Sequence, residues 1–190
     1  MQPVVFLDRD GTINIDSNYV FKPEQVSLVT GAAQAISRLK KAGFMVAVVS
    51  NQSAVGRGMA TVEDVDAVNQ QLSRLLADAV PGAVIDEFAY CPHEPEALCD
   101  CRKPKTGMLN QLTKLESFDP QCCWLVGDKF IDLEFGANIG IPPRQRILVA
   151  TGHGAGEFAQ YGGGAGTGVR YCEDIAAAVN IILEESGAAE

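Results

Sequence analysis

The apolar residues of this chain fall into two rhythms that alternate from one end to the other. Unbroken runs at 4–7, 44–49 and 123–126, and a run at 146–150 opened by Arg146, read as strands buried on both faces, as in a parallel sheet. Residues 84–90, apolar except for Asp86 and Glu87, also read as a strand and lead into a loop of cysteines and a histidine. Between these runs the spacing turns helical. Ala32, Ile36 and Leu39 mark a helix over 31–41. Val65, Val68, Leu72, Leu75 and Leu76 form the stripe of another, which Thr61-x-x-Asp64 opens as a capping box. Thr106 is placed to cap a third helix through Leu109, Leu112 and Leu115, and 173–185 forms a closing one. Strands alternating with helices predict an α/β fold, a doubly wound parallel sheet in one domain over 1–190. The glycine-rich stretch 152–168 is expected to be a mobile surface loop, not a linker between domains.

Composition narrows the function classes. The chain has 190 residues, 47% of them hydrophobic, which suits one sizeable core. No apolar stretch approaches the roughly 20 residues of a membrane span. The start Met1-Gln2-Pro3 has no basic region of a secretory signal. A cytoplasmic protein with no membrane partner is therefore expected. The formal charge of −9, with no basic stripe, argues against a nucleic-acid partner. The six cysteines are not spread like a disulfide framework, and clustered thiols in a reducing compartment more often bind metal. A monomer is the default expectation.

Chemistry gathers where the strands end, which is where open α/β sheets bind their ligands. The first run ends in Asp8-Arg9-Asp10-Gly11-Thr12, the second in Ser50-Asn51-Gln52-Ser53, and a later one in Gly127-Asp128-Lys129. Arg102-Lys103-Pro104 follows Cys101. Each motif alone also fits a plain turn; their shared place after predicted strands suits phosphoryl transfer, which needs positioning and neutralised charge. Asp8 is then the nucleophile that forms an aspartyl phosphate. Asp10 is the general acid for the leaving alcohol and the base for the attacking water. Mg²⁺ would lie between Asp8 and Asp128, with the Asp10 backbone carbonyl as a third ligand. Ser50 and Lys103 would hold the phosphoryl oxygens. A non-catalytic phosphate-binding protein would be expected to lack one of Asp8, Asp10, Lys103 or Asp128, and all four are present.

Cys91-Pro92-His93 and then Cys99-Asp100-Cys101 supply three thiols and an imidazole. That is a tetrahedral Zn²⁺ donor set with no open position, hence a structural site. It would stiffen the loop that carries Arg102 and Lys103. Cys122, Cys123, Cys172 and Trp124 read as core or boundary residues, and His153 as a solvent-exposed loop residue.

With these motifs the chain resembles the haloacid dehalogenase (HAD) superfamily of phosphatases. The resemblance rests on Asp8-Arg9-Asp10-Gly11-Thr12, Ser50-Asn51-Gln52, Lys103 and Gly127-Asp128. It implies a Rossmann-like domain, an aspartyl nucleophile and Mg²⁺. Most members carry a cap after the first or second motif. Here 12–50 and 52–103 are filled by elements of the basic fold, so a capless or minimally capped member is expected. The Cys-x-His…Cys-x-Cys-Arg-Lys-Pro loop is similar to that of two groups, one acting on a heptose bisphosphate and one on histidinol phosphate. Asn51-Gln52-Ser53 with Arg57-Gly58, Gly107-Met108, and Asp132 after Asp128-Lys129 resemble the first group. Ser50 departs from it, since many members have Thr there, but either hydroxyl makes the same hydrogen bond. The resemblance thus implies a small sugar bisphosphate as substrate, in the synthesis of nucleotide-activated heptose such as that of lipopolysaccharide. On this reading Arg102, then Arg57, takes the distal phosphate. Asp16, Ser17, Asn18 and Tyr19 hydrogen-bond the sugar, and Asn51, Gln52, Ser53 and Lys129 belong to the same site.

Overall fold

A computed structural model describes residues 3–115, 117–162 and 169–187. Its strands are β1 (Val4–Leu7), β2 (Met45–Asn51), β3 (Glu87–Cys91), β4 (Trp124–Gly127), β5 (Arg146–Val149) and β6 (Arg170–Cys172). Its helices are α1 (Ala32–Lys41), α2 (Val62–Ala79), α3 (Phe130–Asn138), α4 (Gly154–Glu157) and α5 (Ile175–Ser186). Among the described residues the strands form one parallel sheet in the order β3-β2-β1-β4-β5-β6. The winding reverses between β1 and β4, and at such a switch point a crevice opens beyond the carboxyl ends of the strands.

Alternation along the strands divides the core between the two faces of the sheet. Val5, Leu7, Val46, Val48, Val126 and Val149 cluster with Ile36 and Leu39 of α1, Leu72 and Leu76 of α2, and Val179 and Ile182 of α5. Val4, Phe6, Ala47, Val49 and Leu125 cluster with Met108 and with Leu133 and Phe135 of α3. Trp124 is buried in the first cluster. The expected capping box is formed: Thr61 Oγ1 accepts from the Asp64 backbone N–H, and Asp64 Oδ2 accepts from that of Thr61.

The structure corrects the third expected helix. Residues Gly107–Gln111 form a short 3-10 turn. Leu109, Leu112 and Leu115 are three apart, which is the 3-10 repeat as much as the α-helical one. Thr106 has φ −103° and ψ −1°, not the extended backbone of an N-cap, and its side chain caps nothing. Part of the expected glycine-rich loop, 163–168, lies outside the described residues; the part before it is the helical turn of α4 followed by π-helical Phe158–Gly162. The third strand of the sheet starts at Glu87, not at 84, because its register with β2 begins at the Ala47–Glu87 pair. Helix α3 and strand β6 were not among the expected elements. Among the described residues no helix is long and apolar enough to cross a membrane.

Candidate active site

Parallel strands end side by side, so their first loop residues meet. Asp8 directly follows β1, and its backbone N–H donates to the Val126 carbonyl of β4 at 2.9 Å. Ser50 and Asn51 close β2, and Asp128 directly follows β4. Asp8, Ser50 and Asn51 form one end of a cavity of about 410 Å³. Of the expected site residues, Asp8, Asp10, Asp16, Asn18, Tyr19, Ser50, Asn51, Gln52, Ser53, Arg102, Lys103 and Lys129 line it. Asp128 is fully buried, and its Oδ2 accepts from the backbone N–H of His153, a lining residue, at 2.8 Å. Ser17 and Arg57 are exposed and lie outside the lining. Arg57 sits in turns that bend toward the Cys/His loop, where Gly56 N–H donates to the Pro92 carbonyl at 2.7 Å. Arg57 is therefore not among the residues that the cavity brings together.

Lys103 is the hub of the cavity. Its buried ammonium donates to Asp8 Oδ1 at 2.6 Å and to the Val49 carbonyl at 2.7 Å, and pairs with Asp132 Oδ1 at 2.6 Å. All three ammonium protons thus have acceptors. Asn51 holds the backbone of that lysine, accepting from Lys103 N–H at 3.0 Å and donating to its carbonyl at 3.3 Å. Its side chain therefore positions the lysine as well as lining the wall. Ser50 Oγ accepts from Gln52 Nε2 at 2.7 Å, which leaves its own proton for a ligand.

The two aspartates of the first motif sit in opposite environments. Burial raises Asp8 to about 6; Lys103 opposes the rise and Asp132 adds to it. Burial and the charge of Asp8 raise Asp128 to about 8, against the pull of Lys129. Burial acts against the charge on Lys103, yet Asp132 and Asp8 hold it above the usual lysine range. Asp10 is lowered: burial pushes it up, but Arg9 outweighs this, helped by hydrogen bonds from Gln52 and Asn14.

Oxygens of Asp8, Asp128 and Asp132 lie close enough together to hold one metal ion. Asp128 Oδ1 is buried with no hydrogen-bond partner, as a carboxylate oxygen aimed at a cation would be. Hard oxygen donors in this number suit Mg²⁺. The Asp10 side chain is committed to Arg9, Asn14 and Gln52, so only its backbone carbonyl is left for a metal. Asp132 offers the third carboxylate of this group, which the spacing of the motifs did not assign.

The Cys/His loop also comes together. Cys91, Cys99 and Cys101 have sulfur separations of 3.1 to 3.5 Å, and His93 Nδ1 lies 3.3 Å from Cys101 Sγ and 3.6 Å from Cys91 Sγ. Zn–S bonds of about 2.3 Å and a Zn–N bond of about 2.0 Å put the edges of a tetrahedron near ~3.5–3.8 Å, so the donor set fits zinc. None of the six cysteines is in a disulfide. His153 is half exposed, as expected of a loop residue, but its Nε2 lies 3.1 Å from Asp16 Oδ2 at the cavity rim.

This sheet, with a carboxylate at the switch point and a lysine bound to it, defines a phosphoric monoester hydrolase of the HAD type. A family model described as HAD-hydrolase-like matches residues 100–179, and one described as polynucleotide kinase 3 phosphatase matches 3–130. The D-glycero-beta-D-manno-heptose-1,7-bisphosphate 7-phosphatase of Bordetella bronchiseptica is 37% identical over 184 residues, 96% of this chain and 99% of that protein. Its namesake in Pseudomonas aeruginosa is 36% identical over 182 residues, 95% and 98% of the two chains. The crystal structure of the B. bronchiseptica D,D-heptose 1,7-bisphosphate phosphatase, complexed with magnesium and phosphate, superposes with a TM-score of 0.85 at 36% identity, covering 96% of this chain and 99% of that one. The chain belongs to this heptose-bisphosphate phosphatase family of the HAD superfamily.

Proposed function

We propose that the protein removes the 7-phosphate of D-glycero-D-manno-heptose 1,7-bisphosphate, leaving the 1-phosphate, in the synthesis of nucleotide-activated heptose. The observation that carries this reading is near full-length similarity to curated heptose-bisphosphate phosphatases, together with two cations, Arg102 and Lys129, that share the cavity with Asp8 and Lys103. Both relatives are named for the β anomer, which favours that anomer as substrate.

Lys103 and Ser50 hold the phosphoryl oxygens while an Asp8 carboxylate oxygen attacks phosphorus and the ester oxygen leaves. Asp10, ionised at rest, takes up a proton as the anionic phosphoryl group enters beside it. It gives that proton to the leaving alkoxide and recovers one from the water that hydrolyses the aspartyl phosphate. A Mg²⁺ ion held by Asp8, Asp128, Asp132 and the Asp10 carbonyl would neutralise phosphoryl charge. Arg102 and Lys129 bind the distal phosphate, and Asp16, Asn18 and Tyr19 face the sugar.

The test is phosphate release with Mg²⁺ from heptose 1,7-bisphosphate anomers, histidinol phosphate and a 3′-phosphorylated oligonucleotide. A preference for the bisphosphate of at least about tenfold in kcat/KM is expected. A preference for either of the others would overturn the substrate assignment.

A further inference from the structure

Arg9 stands between the two aspartates of the first motif, where a spacer would do. It is instead the largest fully buried side chain described, 1% exposed. Arg9 does not itself line the cavity, but Asp10, Val20 and Gln52, which do, all accept from its guanidinium. Nε donates to Asp10 Oδ1 at 3.2 Å and Oδ2 at 3.1 Å, and one terminal nitrogen donates to Oδ2 at 2.8 Å. That nitrogen also reaches the Gln52 Oε1 at 2.9 Å and the Val20 carbonyl at 3.0 Å. The other terminal nitrogen donates to Asn69 Oδ1 of α2 at 3.1 Å.

Burying a charge with so many partners is costly, and neither neutralising Asp10 nor filling space demands it. A planar fork, however, fixes a carboxylate in both direction and rotation, which a point charge does not. Asp10 Oδ1 also accepts from Asn14 and Oδ2 from Gln52, yet the side chain keeps 17% exposure in the cavity it lines. The same fork is anchored to α2, to the Gln52 that hydrogen-bonds Ser50, and to the end of the 16–20 loop.

We infer that Arg9 is a positioning residue for the reaction: it aims the carboxyl of Asp10 at the leaving oxygen and ties that aim to α2 and to the loop ending at Val20. The inference rests on the proposed role of Asp10. In that step the Asp8 oxygen–phosphorus bond forms, the phosphorus–ester oxygen bond breaks, and the Asp10 proton passes to the departing oxygen. Protonation matters for a sugar alkoxide and little for a nitrophenolate, which leaves readily as the anion. Misaiming the acid should therefore hurt alkyl esters selectively.

The experiment compares heptose 1,7-bisphosphate with p-nitrophenyl phosphate for Arg9→Lys, Asn69→Ala and Asp10→Asn in zinc-loaded protein with Mg²⁺. Circular dichroism and zinc content report folding. Arg9→Lys is expected to lose roughly tenfold to 100-fold more kcat on the sugar ester than on the aryl ester, with KM little altered. Asn69→Ala frees one corner of the fork and should show the same selectivity to a smaller degree, which keeps the test valid if Arg9→Lys does not fold. Equal losses on both esters in every folded variant of the fork, alongside selective loss in Asp10→Asn, would overturn the role of Arg9 alone. Unselective loss in Asp10→Asn would overturn the acid role of Asp10 and this inference with it.

Discussion

Lys103 holds one ammonium between two buried carboxylates, Asp8 and Asp132, each at 2.6 Å. Removing it would strip the phosphoryl group of a positioned cation and leave both acids without it. Lys103→Met is expected to lower kcat by roughly 10²–10³-fold, the usual effect of losing one preorganised donor. Steady-state phosphate release checks this, and a loss below about tenfold would reduce Lys103 to a structural counter-ion. At this scale the acids Asp8, Asp10 and Asp128 and the cation Lys103 were legible because each follows a strand or a loop of recognisable chemistry. Asp132 and Arg9 were not assigned roles. Their partners, Lys103 for one and Val20, Gln52 and Asn69 for the other, lie 11 to 60 positions away and meet only in the fold.

The Cys/His loop acts as an element although it has no regular structure of its own for most of its length. Cys91 ends β3 and its carbonyl accepts from Gln52 N–H at 2.7 Å; the Pro92 carbonyl accepts from Gly56 N–H at 2.7 Å. Arg102 donates to the His93 carbonyl at 3.2 Å, and Lys103 follows it. The loop thus braces both the 52–56 turn and the two cations. Removing zinc is expected to lower the melting temperature and to cost roughly tenfold or more in kcat, because small misplacements of such groups are costly. Chelator-treated protein, assayed with Mg²⁺ after its zinc content is measured, checks this; full activity without zinc would confine the ion to stability. The donor set could be read from its residue types because three thiols and an imidazole lie within one short stretch. Helix α3 could not. It starts at once after the Gly127-Asp128 motif with Lys129 as N-cap, whose N–H is met by the Asp132 side chain and not by a usual capping residue. Strand β6 has three residues and depends on pairing with β5.

For the whole molecule, the carboxylates at the switch point couple stability to pH. Folding raises Asp8 from 3.8 to about 6 and Asp128 from 3.8 to about 8. The native state therefore holds protons that the unfolded chain has released. Their contribution is full below the unfolded value and is lost as pH rises through about 6 and then about 8. Asp10 is lowered, so its contribution is lost only as pH falls below the ordinary carboxylate value. Mg²⁺ favours the ionised acids and acts in the opposite sense. Zinc-loaded, Mg-free protein should melt at a lower temperature near pH ~8 than near pH ~5.5, and Mg²⁺ should raise the melting temperature more at the higher pH. Equal gains at both values would show that Mg²⁺ does not compete with those protons. Two glycines from distant loops leave room for the Asp128 carboxylate. Gly11 and Gly152 both have left-handed backbone, and a Cβ on either would overlap the Asp128 carboxylate. A related chain that keeps every acid but has gained a side chain at either glycine would thus have lost its metal without losing a ligand. Dormant members of the family are therefore to be sought by their missing glycines, since a census of acidic residues would count them as active.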